Sequence, residues 1–423
     1  MIAAKHGGNA SIRILGDSNP KGGHSTWQNK KFHAGVWARI STIITLFSIL
    51  ALLISRIEKS KDPAHNKSVR AGGTKRISGG GEVSFVTIVM PSTRPLRSVV
   101  NPDARPRRLV NIAKTWGPSS RAIFVVHATN EYPEGHNIDE ASASITYPQN
   151  LLLPAQINID EGVARLEHVI RTVHKNIDPD FVFFVNDHTF VLPGNLCQFL
   201  KEHDSSKDLY AGHALKGKKE TAFNSGAAGY VLSRLTMERL INEWDTPDSK
   251  CYETPTSKWL ESNPGLLTAK CFLQVLNIPL LDTRDKVDLS HKFHAYGLVR
   301  TVTGKVDDWY VNKHESLDDV LGVDTKYHHR LQDGSQCCST RTVSFHYVEA
   351  GESLVFWDVL QKVHQSLLSD VEIKELMNKV WPRDIEGLGR FAHGLPPISQ
   401  LAVWDDITKV VRKVSFGMTP PSC

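Results

Sequence analysis

The 423-residue chain carries 50 Lys and Arg against 45 Asp and Glu, a net charge of +5, and is 40% apolar. That is enough apolar material for one large or two ordinary domains. Much of the basic excess precedes residue 110 and no basic stripe interleaved with aromatics follows, so nothing points to a nucleic-acid partner.

Residues 1–33 are polar and read as a tail without a core of their own. Residues 34–54 form an apolar run in which Arg39 is the one charge. Its length fits a single membrane span of roughly 20 residues, and Arg39 lies near one end, where it can snorkel to the interface. A cleaved signal peptide fits less well, because a long polar segment precedes the run and no small-residue cleavage site follows it. A buried soluble helix would show a polar face, and none is visible. Charge does not orient the span: Lys21, Lys30, Lys31 and Arg39 on one side face Arg56, Lys59, Lys61, Lys67 and Arg70 on the other. Residues 55–82 are rich in Lys, Ser and Gly, a linker composition. They contain one glycosylation sequon, Asn66-Lys67-Ser68.

The globular pattern begins at Val83, and Val83–Met90 predicts a strand. Residues 107–116 show helical periodicity through Leu109, Ile112, Ala113 and Trp116, ended by Gly117-Pro118. Ala122–His127 predicts a strand, and 161–176 a helix with Val163, Leu166, Val169, Ile170 and Val173 on one face. The run Phe181–Val191 predicts a buried strand that carries Asn186, Asp187 and His188 where it ends. This β-α-β-α-β order implies an α/β fold with a mostly parallel sheet and flanking helices. Pro193 opens a short helix. Asn224–Ser233 is a stretch of small residues that lets backbone or ligand come close, and Arg234–Trp244 continues as a helix. Beyond Cys271 the pattern is irregular until Thr342–Val348, read as a strand. Helical segments then dominate to the end. Cys251 with Cys271, and the adjacent Cys337 and Cys338, fit either two bridges in an oxidising lumen or reduced buried thiols, with connectivity unreadable.

Ligands of parallel sheets gather beyond the strand C-termini, which is where Asp187 and His188 fall. With a distant imidazole such as His346, they are candidate ligands for a divalent ion. The bland readings are a satisfied core histidine and an aspartate that caps the turn before Pro193. No Walker motif, nucleophile elbow or HExxH zinc motif is present.

Three segments go further. Phe184–Val191, Ser225–Ser233 and Cys337–Val348 resemble the acidic motif, the S-G-G-A-G-Y-V-L-S motif and the double-cysteine S-F-H-Y-V motif of the Fringe-like β1,3-glycosyltransferases. They are most similar to the core 1 β1,3-galactosyltransferases. Lys114-Thr115-Trp116, Tyr210-Ala211-Gly212, Arg284-Asp285 and Phe293-His294 are weaker echoes, in the same order, over about residues 83–350. The resemblance implies a GT-A-type fold at 83–350 behind a cytoplasmic tail (1–33), a transmembrane helix (34–54) and a stem (55–82). The helical extension 351–423 is not covered by it. It also implies a single-pass type II Golgi membrane protein with its catalytic-like domain in the lumen, a UDP-galactose donor, manganese (Mn2+), and transfer in β1,3 linkage to O-linked GalNAc on glycoproteins. Association as a homodimer or with a partner glycosyltransferase stays open.

Carried onto this sequence, the metal ligands are His188 and His346 with Asp187 beside them, and donor contacts fall to Asp187 and Tyr210. Trp309 and Tyr310 are the candidate acceptor platform, with a core pair as the bland alternative. The ion's part would be to neutralise charge on departing UDP. The departures from the family pattern are specific. His188 and Asn186 stand where the family has carboxylates, and a neutral imidazole binds a hard ion less well. The acidic pair that supplies the family's general base is matched by Pro264 and Gly265, leaving Glu261 as the candidate base. These losses motivate a second expectation, a catalytically silent member that serves as chaperone, scaffold or glycan-binding partner.

Overall fold

The computed structural model describes residues 82–90, 104–127, 149–153, 162–217, 222–252, 268–315, 331–348, 350–380, 400–418 and 423. The expected tail, span and stem lie outside these, as does Glu261. Among the described residues no helix is long and apolar enough to cross a membrane.

Six strands form the central sheet: β1 Phe85–Met90, β2 Ala122–His127, β3 Gln149–Leu153, β4 Phe181–Asn186, β6 Tyr210–Gly212 and β9 Tyr230–Ser233. Their spatial order is β3-β2-β1-β4-β9-β6. The pairs β2/β3, β1/β2 and β1/β4 are parallel, whereas β9 runs antiparallel to both β4 and β6. The sheet is therefore mixed, with a parallel half that matches the sequence expectation and an antiparallel edge that the sequence did not announce. Strand β4 explains its own position. Phe181, Val182, Phe183, Phe184 and Val185 are all buried, as befits a central strand covered on both faces. Removing each such side chain from water contributes roughly 1.5–3 kcal/mol.

Helices α1 Ala104–Lys114 and α2 Gly162–Asn176 supply the crossovers. Helix α3 is Pro193–Lys201, and α4 Arg234–Trp244 packs on α2. The side chain of Ser233 caps α4, accepting a hydrogen bond from the Thr236 amide at 3.2 Å.

The run Phe181–Val191 is not one strand. After Asn186 the chain turns and re-enters a second, three-stranded sheet as β5 Phe190–Val191. There β5 lies antiparallel to β11 Ser344–Phe345, which pairs in parallel with β10 Phe293–His294. The Thr342–Val348 segment is thus extended for a shorter stretch than its sequence predicts. Strands β7 Ala214–Lys216 and β8 Ala222–Asn224 form a separate hairpin. Two short helices, α5 Leu298–Thr303 and α6 Asp308–Glu315, follow β10.

The C-terminal helices α7 Ala350–His364, α8 Asp370–Val380 and α9 Gln400–Ser415 are not an appendage. Helix α7 packs on α1, and its Phe356 ring lies 4.7 Å from that of Phe190 on β5 and 6.0 Å from Phe345 on β11. Cys423 is bonded to Cys197 of α3, a link the sequence reading did not foresee. Cys251–Cys271 and Cys337–Cys338 are the other two bonds. The former staples the ends of the segment that holds Glu261.

Candidate functional site

The junction between the two sheets is the turn Asn186–Thr189. It sits where the parallel strands β1 and β4 end side by side, Met90 opposite Asn186. Asn186 organises the turn. Its Oδ1 accepts from the His188 amide at 2.9 Å and from Thr189 Oγ1 at 3.0 Å. Its Nδ2 lies 3.0 Å from Nε2 of His346. The other imidazole nitrogen of His346, Nδ1, faces the Ala295 carbonyl at 3.3 Å. One neutral tautomer satisfies both contacts: Nδ1–H donates to Ala295 and Nε2 accepts from the Asn186 amide. A carboxylate at 186 could not make that second bond.

His346 reaches the turn because β11 pairs with β5 and the Val348 amide donates to the His188 carbonyl at 3.0 Å. The rings of His188 and His346 are edge-on, centroids 6.1 Å apart. Asp187 is buried, with Oδ1 3.8 Å from His188 Nε2 and Oδ2 3.5 Å from Nη1 of Arg108 on α1. Arg108 is itself 8% exposed. Asp187, His188 and His346 are thus brought together, but not around one point. Among the described residues no three His, Cys, Asp or Glu side chains are grouped to hold a metal ion. As arranged, the trio does not present a ligand set for the divalent ion that the sequence resemblance implies, because the His346 Nε2 lone pair meets an amide and the carboxylate meets a guanidinium.

The small-residue segment closes the site from another side. Thr189 Oγ1 shares its one proton between Asn186 Oδ1 and the Ala227 carbonyl, 2.9 Å away, and Ser344 Oγ donates to the carbonyl of Ala228 at 2.5 Å. All three sequence segments singled out above therefore meet here. Among the described residues nothing lies within 4 Å of where a Cβ on Gly226 would stand, whereas Gly229, at φ +89°, has the Phe183 ring against it.

Tyr210 is not a surface contact for a donor. It is 2% exposed, its hydroxyl accepts from the Asn224 amide at 2.9 Å, and its ring packs on Phe272 and Tyr230. Burial pushes its phenol well above the usual tyrosine range. Its part is to fix the start of the small-residue segment. Trp309 and Tyr310, both on α6, separate: Trp309 is 54% exposed, while Tyr310 is buried with its hydroxyl 2.7 Å from His213 Nε2. Tyr310 lines a cavity of about 390 Å³ with His213, His291, His294 and Tyr296. Rings connect it to the site: Tyr310 lies 4.8 Å from Tyr296, which lies 5.8 Å from Tyr347, next to His346. Tyr347 is exposed and holds φ +58°, a strained backbone for a bulky residue. Burial depresses the His294 imidazole to about 3, so it is neutral.

Sequence reasoning passed over Arg108, Thr189, Tyr296 and Tyr347. Arg108 had a readable signal, since it lies four residues before the core residue Ile112 and so shares the buried face of α1. Thr189 and Tyr347 lie within the motif segments 184–191 and 337–348 without having been given a role, and Tyr296 had no local signal.

No family model matches the sequence. The chain is similar to a glycoprotein-N-acetylgalactosamine 3-beta-galactosyltransferase 1 of Xenopus laevis, 24% identical over 244 residues, which are 55% of this chain and 60% of that relative. This distant, partial homology supports a β1,3-galactosyltransferase-like family without singling out a member, and the chain spans about 60% of the relative's length.

Proposed function

We propose that the chain is a glycosyltransferase that moves galactose from UDP-galactose in β1,3 linkage to O-linked GalNAc on glycoproteins. The proposal includes a lumenal Golgi setting, reached through the span at 34–54. The observation that carries it is the convergence of three distant segments, 184–191, 225–233 and 337–348, on the end of the parallel half-sheet, each held to the next by named hydrogen bonds. Homology to a galactosyltransferase supports the same reading. In the reaction the acceptor hydroxyl oxygen bonds to the anomeric carbon while the bond from that carbon to the phosphate oxygen breaks. The electron pair leaves with UDP, and the acceptor proton passes to a base. Glu261 is proposed for that base, on the segment stapled by Cys251–Cys271. The exposed rings of Trp309 and Tyr347 are proposed to carry the acceptor sugar on their faces.

The amide at 186, bonded to His346, favours a second reading: a silent relative that binds a glycan or a partner glycosyltransferase. One experiment separates the two. The purified full chain is incubated with UDP-galactose and a GalNAc-bearing peptide, and UDP release and the product linkage are measured. Acceptor-dependent UDP release that falls at least tenfold in Glu261→Gln supports the enzyme (about 1.4 kcal/mol in barrier). No turnover with any UDP-sugar removes it and leaves the silent reading.

A further inference from the structure

The cavity that Tyr310 lines, of about 390 Å³, falls in the usual range of small-molecule sites, roughly 300–1,000 Å³. The transfer reaction gives it no part. Its lining includes stacked rings. Tyr296 and Tyr310 meet edge to face with centroids 4.8 Å apart, and the His213 ring stacks on Tyr310 at 5.6 Å. One neutral tautomer of His213 donates from Nδ1 to the Phe293 carbonyl at 3.0 Å and accepts the Tyr310 hydroxyl at Nε2, 2.7 Å away. Among the described residues no Lys or Arg lines the cavity. Arg300, whose guanidinium lies 4.4 Å from the centre of the Tyr296 ring, is paired with Asp307. The lining also supplies hydrogen-bond acceptors. Gln332 is anchored by its Nε2, which donates to the Asp288 carbonyl at 3.0 Å, while its Oε1 is shut off from solvent and meets no donor. A buried acceptor left unpaired is costly. Asp333 is the one carboxylate among the described lining residues. Gly304, at φ +64°, makes room for it, since a Cβ there would stand 3.1 Å from Asp333 Oδ2. That carboxylate does not cap the turn Gly334–Gln336 that follows it, and it has no ion-pair partner among the described residues.

Ring faces beside an amide oxygen and a carboxylate, with no cation in the lining, suit a neutral ligand that has an apolar face and donates hydroxyl protons. A phosphate or an acidic sugar would instead meet the like charge of Asp333. We propose that this cavity binds a neutral monosaccharide unit of a glycan, a hexose or N-acetylhexosamine, as a holding site that takes no part in bond transfer. Gln332 Oε1 and the Asp333 carboxylate accept its hydroxyls, and Tyr296 and Tyr310 pack against its ring. This goes beyond the transfer reading, which places its acceptor on Trp309 and Tyr347. The two places are neighbours, because Tyr296 lines the cavity and its ring lies 5.8 Å from that of Tyr347.

The test is a saturation-transfer NMR titration of methyl β-galactoside and of N-acetylgalactosamine into the purified full chain. The expected result is saturable binding of at least one of them. Asp333→Ala, at an exposed position, should weaken that binding about tenfold or more by removing a charged acceptor. Leu331→Trp, which fills the cavity, should do the same, and thermal melting confirms that both variants are folded. UDP, titrated separately, should bind each variant within about twofold of the parent. No saturable binding of either sugar overturns the inference. So does sugar binding that is unchanged in the folded variants but lost in Trp309→Ala, which would assign the sugar to the acceptor platform. A parallel loss of UDP affinity in both variants overturns the separation from the transfer site. Sugar binding with no UDP binding to the parent keeps the inference and removes the transferase reading. A diazirine derivative of the galactoside, photolysed on the unaltered chain, should mark the peptide 331–341. Label confined to other peptides overturns the assignment, and this arm decides it even if no variant folds.

Discussion

Two glycines in one short segment should respond oppositely to the same small change. Gly229 holds φ +89°, and a Cβ built there would lie 2.6 Å from Cε2 and Cζ of Phe183 and 3.0 Å from Cγ1 of Val185. Phe183 has nowhere to go: it is fully buried on the central strand, its ring edge-on to Phe293 at 6.1 Å. Gly229→Ala therefore combines a backbone cost of roughly 1–2 kcal/mol with overpacking of about 1–3 kcal/mol, together about 2–5 kcal/mol. Against a total stability of about 5–15 kcal/mol, that is a large share. Among the described residues Gly226 has no atom within 4 Å of a Cβ placed on it, and it has no positive φ, so Gly226→Ala should stay within about 0.5 kcal/mol of the parent. Urea denaturation followed by circular dichroism measures both, read as a midpoint shift at constant slope. Because Phe183 shares β4 with Asn186, relief of the clash by moving the strand would also displace the turn. Equal midpoints for the two variants, or a Gly229→Ala protein within about 0.5 kcal/mol of the parent, would refute the packing argument.

Two further outcomes follow from burial and from the cysteines. His294 titrates near 3 in the folded chain against 6.5 when unperturbed, so between those values the unfolded chain binds the extra proton. Stability attributable to this residue is complete above about pH 6.5 and falls on acidification by about 1.4 kcal/mol per unit down to about pH 3. His294→Phe, which can keep the stacking on Phe345, should flatten urea midpoints across that window, and an unchanged slope would count against it. The Cys197–Cys423 bond closes a loop of sequence separation 226. Cys423→Ser should cost about 2–5 kcal/mol, and a non-reducing digest of the parent should yield one peptide pair joining the two cysteines.

Local signals in the chain carried some elements well and others not at all. Strand β2 and helix α4 agree residue for residue with their sequence readings, because apolar periodicity, Gly117-Pro118 and the Ser233 cap all act within a few residues. The break of Phe181–Val191 into two strands had no such local cause. Both halves are equally apolar, and only pairing with β11 decides that Phe190 belongs to the second sheet. The short strands β6, β7, β8 and β10 are likewise too brief to show a period. At the site, motif order marked Asp187, His188 and His346, and the structure does bring them into one neighbourhood. What each is bonded to could not be read in advance. Tyr210 and Tyr310 share the composition of surface platforms but prove to be buried.

Side-chain pattern over short spans was enough to set the alternation of strands and helices, the buried central strand and the residue types at its end. Long-range packing was needed to bring Arg108 to Asp187, to join Asn186 to His346 across 160 residues, and to back the second sheet with the C-terminal helices. Such contacts are fixed by strand register and helix packing between distant segments, which no local pattern encodes. The partners that each polar side chain meets at the site belong to that second level.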